Sequence, residues 1–154
     1  NTMGKANYKL IGGTNALGLD STDNHTWDDL IVNELHLPVN KDILLTFRSQ
    51  DVIHSAYLPQ FRVQMNCVPG MTTRFHFIPT LTTVDMRKKI QNDKFEYYLL
   101  CNKICGNAHF NMKMNVVVET EDDFNKWLNI QKPFMVENIS VLDNSTTQTS
   151  QLLN

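Results

Sequence analysis

CNKICGNAHFNM, residues 101–112, gathers two of the chain's three cysteines, one histidine and one methionine into a single short stretch. What flanks it indicates what it joins. FEYYLL, residues 95–100, is a short apolar and aromatic run leading in. In MKMNVVVE, residues 112–119, Met112, Met114, Val116 and Val118 fall on one face, and Lys113, Asn115 and Glu119 on the other. That is the period-two alternation of a strand with one buried side. Residues 101–109 are therefore predicted to be a loop between two strands, at the rim of a β-sandwich or barrel, where rigid scaffolding meets variable chemistry.

The same period recurs further out. DILLTFRS (42–49) and MTTRFHFIP (71–79) are rich in β-branched and aromatic residues, and Phe75 and Phe77 alternate with Arg74 and His76. Pro38, Pro59, Pro69-Gly70 and Pro79 interrupt the pattern at roughly the ten-residue spacing of many-stranded β folds. TTVDMRKKIQNDKF (82–95) is polar and charged, and reads as a helical turn or a surface excursion without chemistry of its own. TEDDFNKWLNIQ (120–131) predicts a short helix. Thr120 is its N-cap, acidic residues fill the first turn, and Phe124, Trp127 and Leu128 share a face for docking. Beyond Pro133 the pattern stops, and DNSTTQTSQLLN (143–154) predicts a mobile polar tail. The expected fold class is all-β, with residues 1–132 as one domain and 133–154 as an extension.

Composition narrows the functional classes. A chain of 154 residues with 42% hydrophobic content buries a real core without staples, so disulfides are not needed for folding. Three cysteines, an odd number, argue against a fully paired disulfide framework and leave metal binding or free thiols. A net charge of -2 supplies no basic face for nucleic acid, and no run of eighteen apolar residues spans a membrane. The opening NTMGKANYK lacks a signal peptide's charged start and apolar stretch; the chain is then cytosolic, or an upstream segment has been removed. Asn24-His25-Thr26, Asn138-Ile139-Ser140 and Asn144-Ser145-Thr146 match the glycan acceptor triplet, a motif short enough to arise by chance.

Thiolates and thioethers are soft donors and imidazole is intermediate, so the 101–112 loop suits copper or zinc better than magnesium or calcium. Cys101, Cys105, His109 and Met112 follow one another at spacings of four, four and three. Zinc sites finish with cysteine or histidine and have little use for a thioether, so Met112 points away from zinc. One cysteine, a histidine and a weak methionine on a β scaffold build a blue copper electron-transfer site, yet such a site uses one thiolate. Two thiolates can bridge two metal ions, and each metal then wants its own imidazole, so a second histidine has to come from elsewhere. On residue types alone a labile disulfide between Cys101 and Cys105, in a binding module without redox role, stays open.

DVIHS, residues 51–55, supplies the second histidine in His54. Taken together, DVIHSAYLPQFR, NCVPG and CNKICGNAHFNM resemble the copper-binding domain of cytochrome c oxidase subunit II over about residues 30–119. That family carries D-V-x-H-S, a P-G a dozen or so residues later, and C-x-E-x-C-G-x-x-H-x-x-M. The resemblance implies a cupredoxin-like Greek-key β-barrel or sandwich holding a dinuclear mixed-valence copper centre, CuA. By position Cys101 and Cys105 would bridge both coppers, and His54 and His109 would each ligate one. Met112 and the backbone carbonyl of Lys103 would be weak ligands. Asp51 and Ser55 flank His54 and are the nearest candidates to orient its imidazole. His25, His36 and His76 lie outside the motifs and read as structural, as do Trp27 and Trp127.

Lys103 stands where the family has glutamate, and Asn66 where it has aspartate. A carbonyl ligand does not depend on its side chain, so copper binding is expected to survive. An ammonium group has no lone pair for a cation, so the magnesium that the family's glutamate reaches is not expected here. Cys67 has no motif partner and reads as a small buried hydrophobe.

The resemblance implies a subunit of a proton-translocating oxidase that carries electron transfer rather than oxygen reduction. Its partners would be cytochrome c or an equivalent haem donor and the catalytic subunit I. Membrane attachment would be through an N-terminal hairpin that this chain does not contain. The RSQ before DVIHS and the lysine between the cysteines suggest a bacterial branch, with the domain on the periplasmic side of the inner membrane. Acidic residues at Asp20, Asp23, Asp28, Asp29 and Glu34 read either as a docking patch for the donor's lysines or as ordinary solvated surface. Two other classes remain: a nitrous-oxide-reductase-like copper enzyme, and a non-enzymatic copper-binding protein. No C-x-x-C-H motif for haem attachment is present in the sequence.

Overall fold

The computed structural model describes residues 3–13, 15 and 17–135; the polar tail and the triplets at Asn138 and Asn144 lie outside the described residues. The chain divides into two compact units, Asn1–Ile31 with Ile130–Asn154, and Val32–Asn129.

The second unit carries seven strands and most of the regular structure. The β-branched and aromatic runs form β1 (Glu34–Pro38), β2 (Ile43–Phe47), β3 (His54–Leu58), β4 (Val63–Cys67) and β5 (Thr73–Phe77), and then β6 (Tyr97–Cys101) and β7 (Lys113–Glu119). Five of them make one sheet in the order β1-β7-β6-β3-β4, and β2 and β5 pair as a second. The β1–β7 pair is parallel, while the other ladders are antiparallel.

Alternation decides which side is buried. Leu37, Leu58, Val63, Tyr97, Val116 and Val118 form the core on one face of the larger sheet. Ile43, Leu45, Phe75 and Phe77 of the β2–β5 pair pack against it, giving the two-layered all-β arrangement expected. Leu58, Val63 and Val116 are fully buried; each such side chain contributes roughly 1.5–3 kcal/mol of hydrophobic stabilisation.

Two short helices complete the unit. The polar 82–95 stretch forms α1 (Thr83–Ile90), whose N-cap Thr82 accepts from the Asp85 N–H at 3.0 Å. The buried Thr83 hydroxyl accepts from the Val118 N–H at 2.9 Å, joining the helix to β7. α2 (Glu121–Ile130) follows Thr120, which caps it by accepting from the Asp123 N–H at 3.2 Å. Trp127 stacks on His36 with ring centroids 4.2 Å apart, and Phe124 is half-buried beside it. Leu128 is exposed instead of docked, because the helix lays the indole flat on β1. His36 also bonds Glu119 at 2.7 Å, and His76 pairs with Asp42.

In the first unit Asp20, Asp23 and Asp29 serve as hydrogen-bond acceptors. Asp20 accepts from the Thr22 hydroxyl at 2.7 Å, Asp23 from the Lys5 N–H at 2.9 Å, and Asp29 from the Gly4 N–H at 3.1 Å. Gly4 is required by close approach, since a Cβ there would lie 2.4 Å from Thr26 Oγ1. No helix among the described residues is long and apolar enough to cross a membrane.

Candidate metal centre

β3 begins on His54 and lies between β4 and β6. In that register His54 faces Cys67 on β4, and Ala56 faces Cys101, the last residue of β6. Side chains two apart on a strand share a face, so His54 and Cys101 emerge on one side although 47 residues separate them. The loop that follows is closed at its base by the Cys101 N–H, which donates to the Met112 carbonyl at 3.0 Å. Gly106, at φ +146, lies in backbone space that favours glycine. The His109 N–H then donates to the Gly106 carbonyl at 3.1 Å, opening a 3₁₀ turn over His109–Asn111 that folds the imidazole back toward the cysteines.

Five side chains and one carbonyl converge. The two sulfurs are 3.8 Å apart, well beyond the roughly 2.0 Å of a disulfide, so the pair is a dithiol. Cys101 Sγ is 4.0 Å from His54 Nδ1, and Cys105 Sγ is 3.6 Å from His109 Nδ1. Met112 Sδ lies 3.3 Å from Cys105 Sγ, and the Lys103 carbonyl 3.2 Å from Cys101 Sγ. The donor atoms of His54, Cys101 and Cys105 all fall within 4.8 Å of one another, a group able to hold a metal ion.

Electrostatics pre-arrange the donors. Asp51 Oδ1 is 2.8 Å from His54 Nε2, so the ring donates from Nε2 and presents Nδ1 to the sulfur. That hydrogen bond raises the His54 pKa against the opposing effect of burial, and holds the Asp51 carboxyl below its ordinary value. Burial pushes the Cys101 thiol up. Hydrogen bonds with the Ser55 and Lys103 backbone, and the interactions with the His109 and His54 imidazoles, outweigh it and bring the thiol down to about 6. Cys105 is raised, by burial and then by the neighbouring Cys101. One thiolate thus forms ahead of the other.

Ser55 behaves differently from its expected role. Alternation turns its side chain to the face opposite His54, where the buried hydroxyl accepts from Gln64 Nε2 and does not reach the imidazole. Cys67 is buried as expected, its thiol pushed up by that burial. It lines an apolar cavity of about 360 Å³ beside the site, with Phe47, Leu99 and Met114. Its place opposite His54 follows from the β3–β4 hairpin register, a signal the motifs do not carry.

The donor set tests which metal fits. Two thiols, a thioether, two imidazoles and a carbonyl suit copper, and offer a hard ion such as magnesium nothing but the carbonyl. The exposed Lys103 and the neutral Asn66 add no carboxylate.

A two-layered β domain with a soft-donor group at one rim is the class of protein defined by this fold and site. The family described as cytochrome c oxidase subunit II, periplasmic domain, matches residues 20–121, and the chain belongs to it. The alternative cytochrome c oxidase subunit 2 of Bradyrhizobium diazoefficiens is 37% identical over 134 residues, covering 86% of this chain and 44% of that protein. Cytochrome c oxidase subunit 2 of Thermostichus vulcanus is 36% identical over 99 residues, 64% of this chain and 26% of that one. The chain therefore spans less than half the length of these relatives. Among solved structures, the periplasmic domain of subunit II of the Bradyrhizobium japonicum cytochrome oxidase superposes with a TM-score of 0.53 at 28% identity. That match covers 64% of this chain and 62% of that one. It agrees with the cupredoxin-like arrangement.

Proposed function

We propose that this chain is the electron-transfer domain of a respiratory cytochrome c oxidase subunit II. It accepts electrons from cytochrome c or an equivalent haem donor at a dinuclear CuA centre and passes them to the haem of the catalytic subunit. The observation that carries this reading is the paired one: two sulfurs 3.8 Å apart, each with its own imidazole Nδ1 at 4.0 or 3.6 Å. Family membership adds copper as the metal, and the soft donors fit it.

Cys101 and Cys105 would bridge the two ions. His54 and His109 would terminate one each, and Met112 and the Lys103 carbonyl would be weak donors. When bound, the copper pair supplies a one-electron acceptor whose bonds change little between oxidation states. The chain's own part is to hold that geometry. The β3–β6 register brings His54 to Cys101, and the 3₁₀ turn brings His109 to Cys105. Asp51 keeps the His54 tautomer, and apolar side chains such as Phe47, Leu99 and Met114 line the pocket next to the donors.

The functional domain is read as residues 1–132, with 133–154 as an extension. In this reading the domain faces the periplasm of a bacterium. It is held to the inner membrane there, and it works as a subunit of the oxygen-reducing, proton-translocating enzyme. Copper titration of the chain tests the proposal. Two coppers per chain with strong thiolate-to-copper absorption support it; one tightly held, colourless Cu(I) overturns it in favour of a copper carrier.

A further inference from the structure

We propose that Gln64 is a positioning residue for the metal centre, holding its His54–Cys101 half through the hydroxyl of Ser55. The purpose of that role rests on the copper reading above, whereas its geometry rests on hydrogen bonds of the chain alone.

Gln64 lies on β4, directly across the ladder from Tyr57, and its neighbour Asn66 lies across from Ser55. Its carboxamide reaches diagonally by one pleat, within the span of a long side chain. Nε2 donates to Ser55 Oγ and also to Asn66 Oδ1, at 3.0 Å in the second case. Asn66 is itself tied down, because its carbonyl accepts from Thr73 Oγ1 at 2.6 Å. A run of hydrogen bonds thus extends from Thr73 through Asn66 and Gln64 to Ser55.

Ser55 passes this on to the site through its backbone. Its carbonyl accepts from the N–H of Asn102, the first residue after Cys101, at 3.3 Å. Ser55 is only 2% exposed, so the hydroxyl depends on protein partners. β4 pairs with β3 alone and is an edge of the sheet. Among the described residues no further strand pairs with that edge beside His54, and the Gln64–Ser55 contact is a cross-strand brace on the face opposite His54. By alternation alone Gln64 would be an ordinary solvated side chain, and it is the hydrogen bonding that separates it from that reading.

The test uses the full 154-residue chain, first without metal. Amide hydrogen exchange is followed at Asn102 and, as a remote reference, at Val118, whose N–H is held by Thr83. Gln64→Leu keeps the bulk and removes the donor. Asn102 exchange is expected to rise roughly three- to tenfold, the effect of one lost hydrogen bond, with Val118 unchanged. In a Ser55→Ala background Gln64→Leu is expected to add nothing. With copper loaded, the same variant should shift the reduction potential without loss of metal stoichiometry.

Unchanged Asn102 exchange in Gln64→Leu overturns the proposal. So does an equal rise at Val118, which would mean general loosening, or an additive double variant, which would mean a route that bypasses Ser55. A wild-type chain that takes up no copper, with the Asn102 effect still seen in Gln64→Leu, upholds the brace and sinks the copper reading alone. A chain that loads two coppers and shows no effect at Asn102 sinks the brace alone.

Discussion

Asp51 Oδ1 sits 2.8 Å from His54 Nε2, on the side of the ring away from the Cys101 sulfur, which lies 4.0 Å from Nδ1. A carboxylate thus sets the tautomer of an imidazole whose other nitrogen is offered to the metal group. Such outer partners typically change metal affinity by about 10–100-fold when removed.

Asp51→Asn is therefore expected to weaken copper retention by about 10–100-fold, measured by competition with a chelator. In the metal-free chain the signs are definite. His54 is raised, so its share of the pair's stability is present at low pH and is lost as pH rises through its folded value. Asp51 is lowered, so its share is present above the ordinary carboxylate value of 3.8 and is lost as pH falls through its folded value. The pair stabilises between about 3.8 and the imidazole range. Urea midpoints of Asp51→Asn should fall below wild type inside that window, and the difference should narrow as pH rises through the folded value of His54. Equal midpoints throughout would show that the contact does not couple to folding.

The two cysteines should titrate in order. In the metal-free chain Cys101, lowered to about 6, is expected to alkylate from near that pH upward, while Cys105 requires a pH above the ordinary thiol range. Cys67, buried and raised, should react only when the chain opens. Peptide mapping after timed alkylation reads all three. Labelling of Cys105 ahead of Cys101 would contradict the hydrogen-bond pattern around the pair.

The bridge and the carbonyl make opposite predictions under substitution. Cys101→Ser or Cys105→Ser should abolish the dinuclear absorption, because a hydroxyl is a poor soft-metal bridge. Lys103→Ala should leave it nearly intact, since the atom beside Cys101 Sγ at 3.2 Å is the backbone oxygen. A folded, colourless Lys103→Ala protein would remove the carbonyl from the ligand set.

Leu58 links the site to the core. It is fully buried at the end of β3, the strand that begins on His54. Leu58→Ala is expected to cost about 2–5 kcal/mol in urea unfolding with an unchanged m-value, as a cavity does. A cost below about 1 kcal/mol would mean that the site collapses around the smaller side chain.

Much of the domain was legible in local order along the chain. Period-two alternation marked β5 and β7, Thr120 marked the start of α2, and three sulfur donors with one imidazole within residues 101–112 marked the loop and its chemistry, because each signal is carried by neighbours. The acidic residues between 20 and 34 could be counted, but not the use of Asp20, Asp23 and Asp29 as acceptors for backbone and hydroxyl groups. Asp51 reaches the His54 ring from three residues upstream, a local contact, whereas tertiary structure alone decided that His54 meets Cys101. It also decided that Ser55 faces away toward Gln64, and that Cys67 lies opposite His54. Those outcomes depend on the register of β3 between β4 and β6. Register is set by pairing strands distant in sequence, and a slip of one residue would send every side chain to the other face.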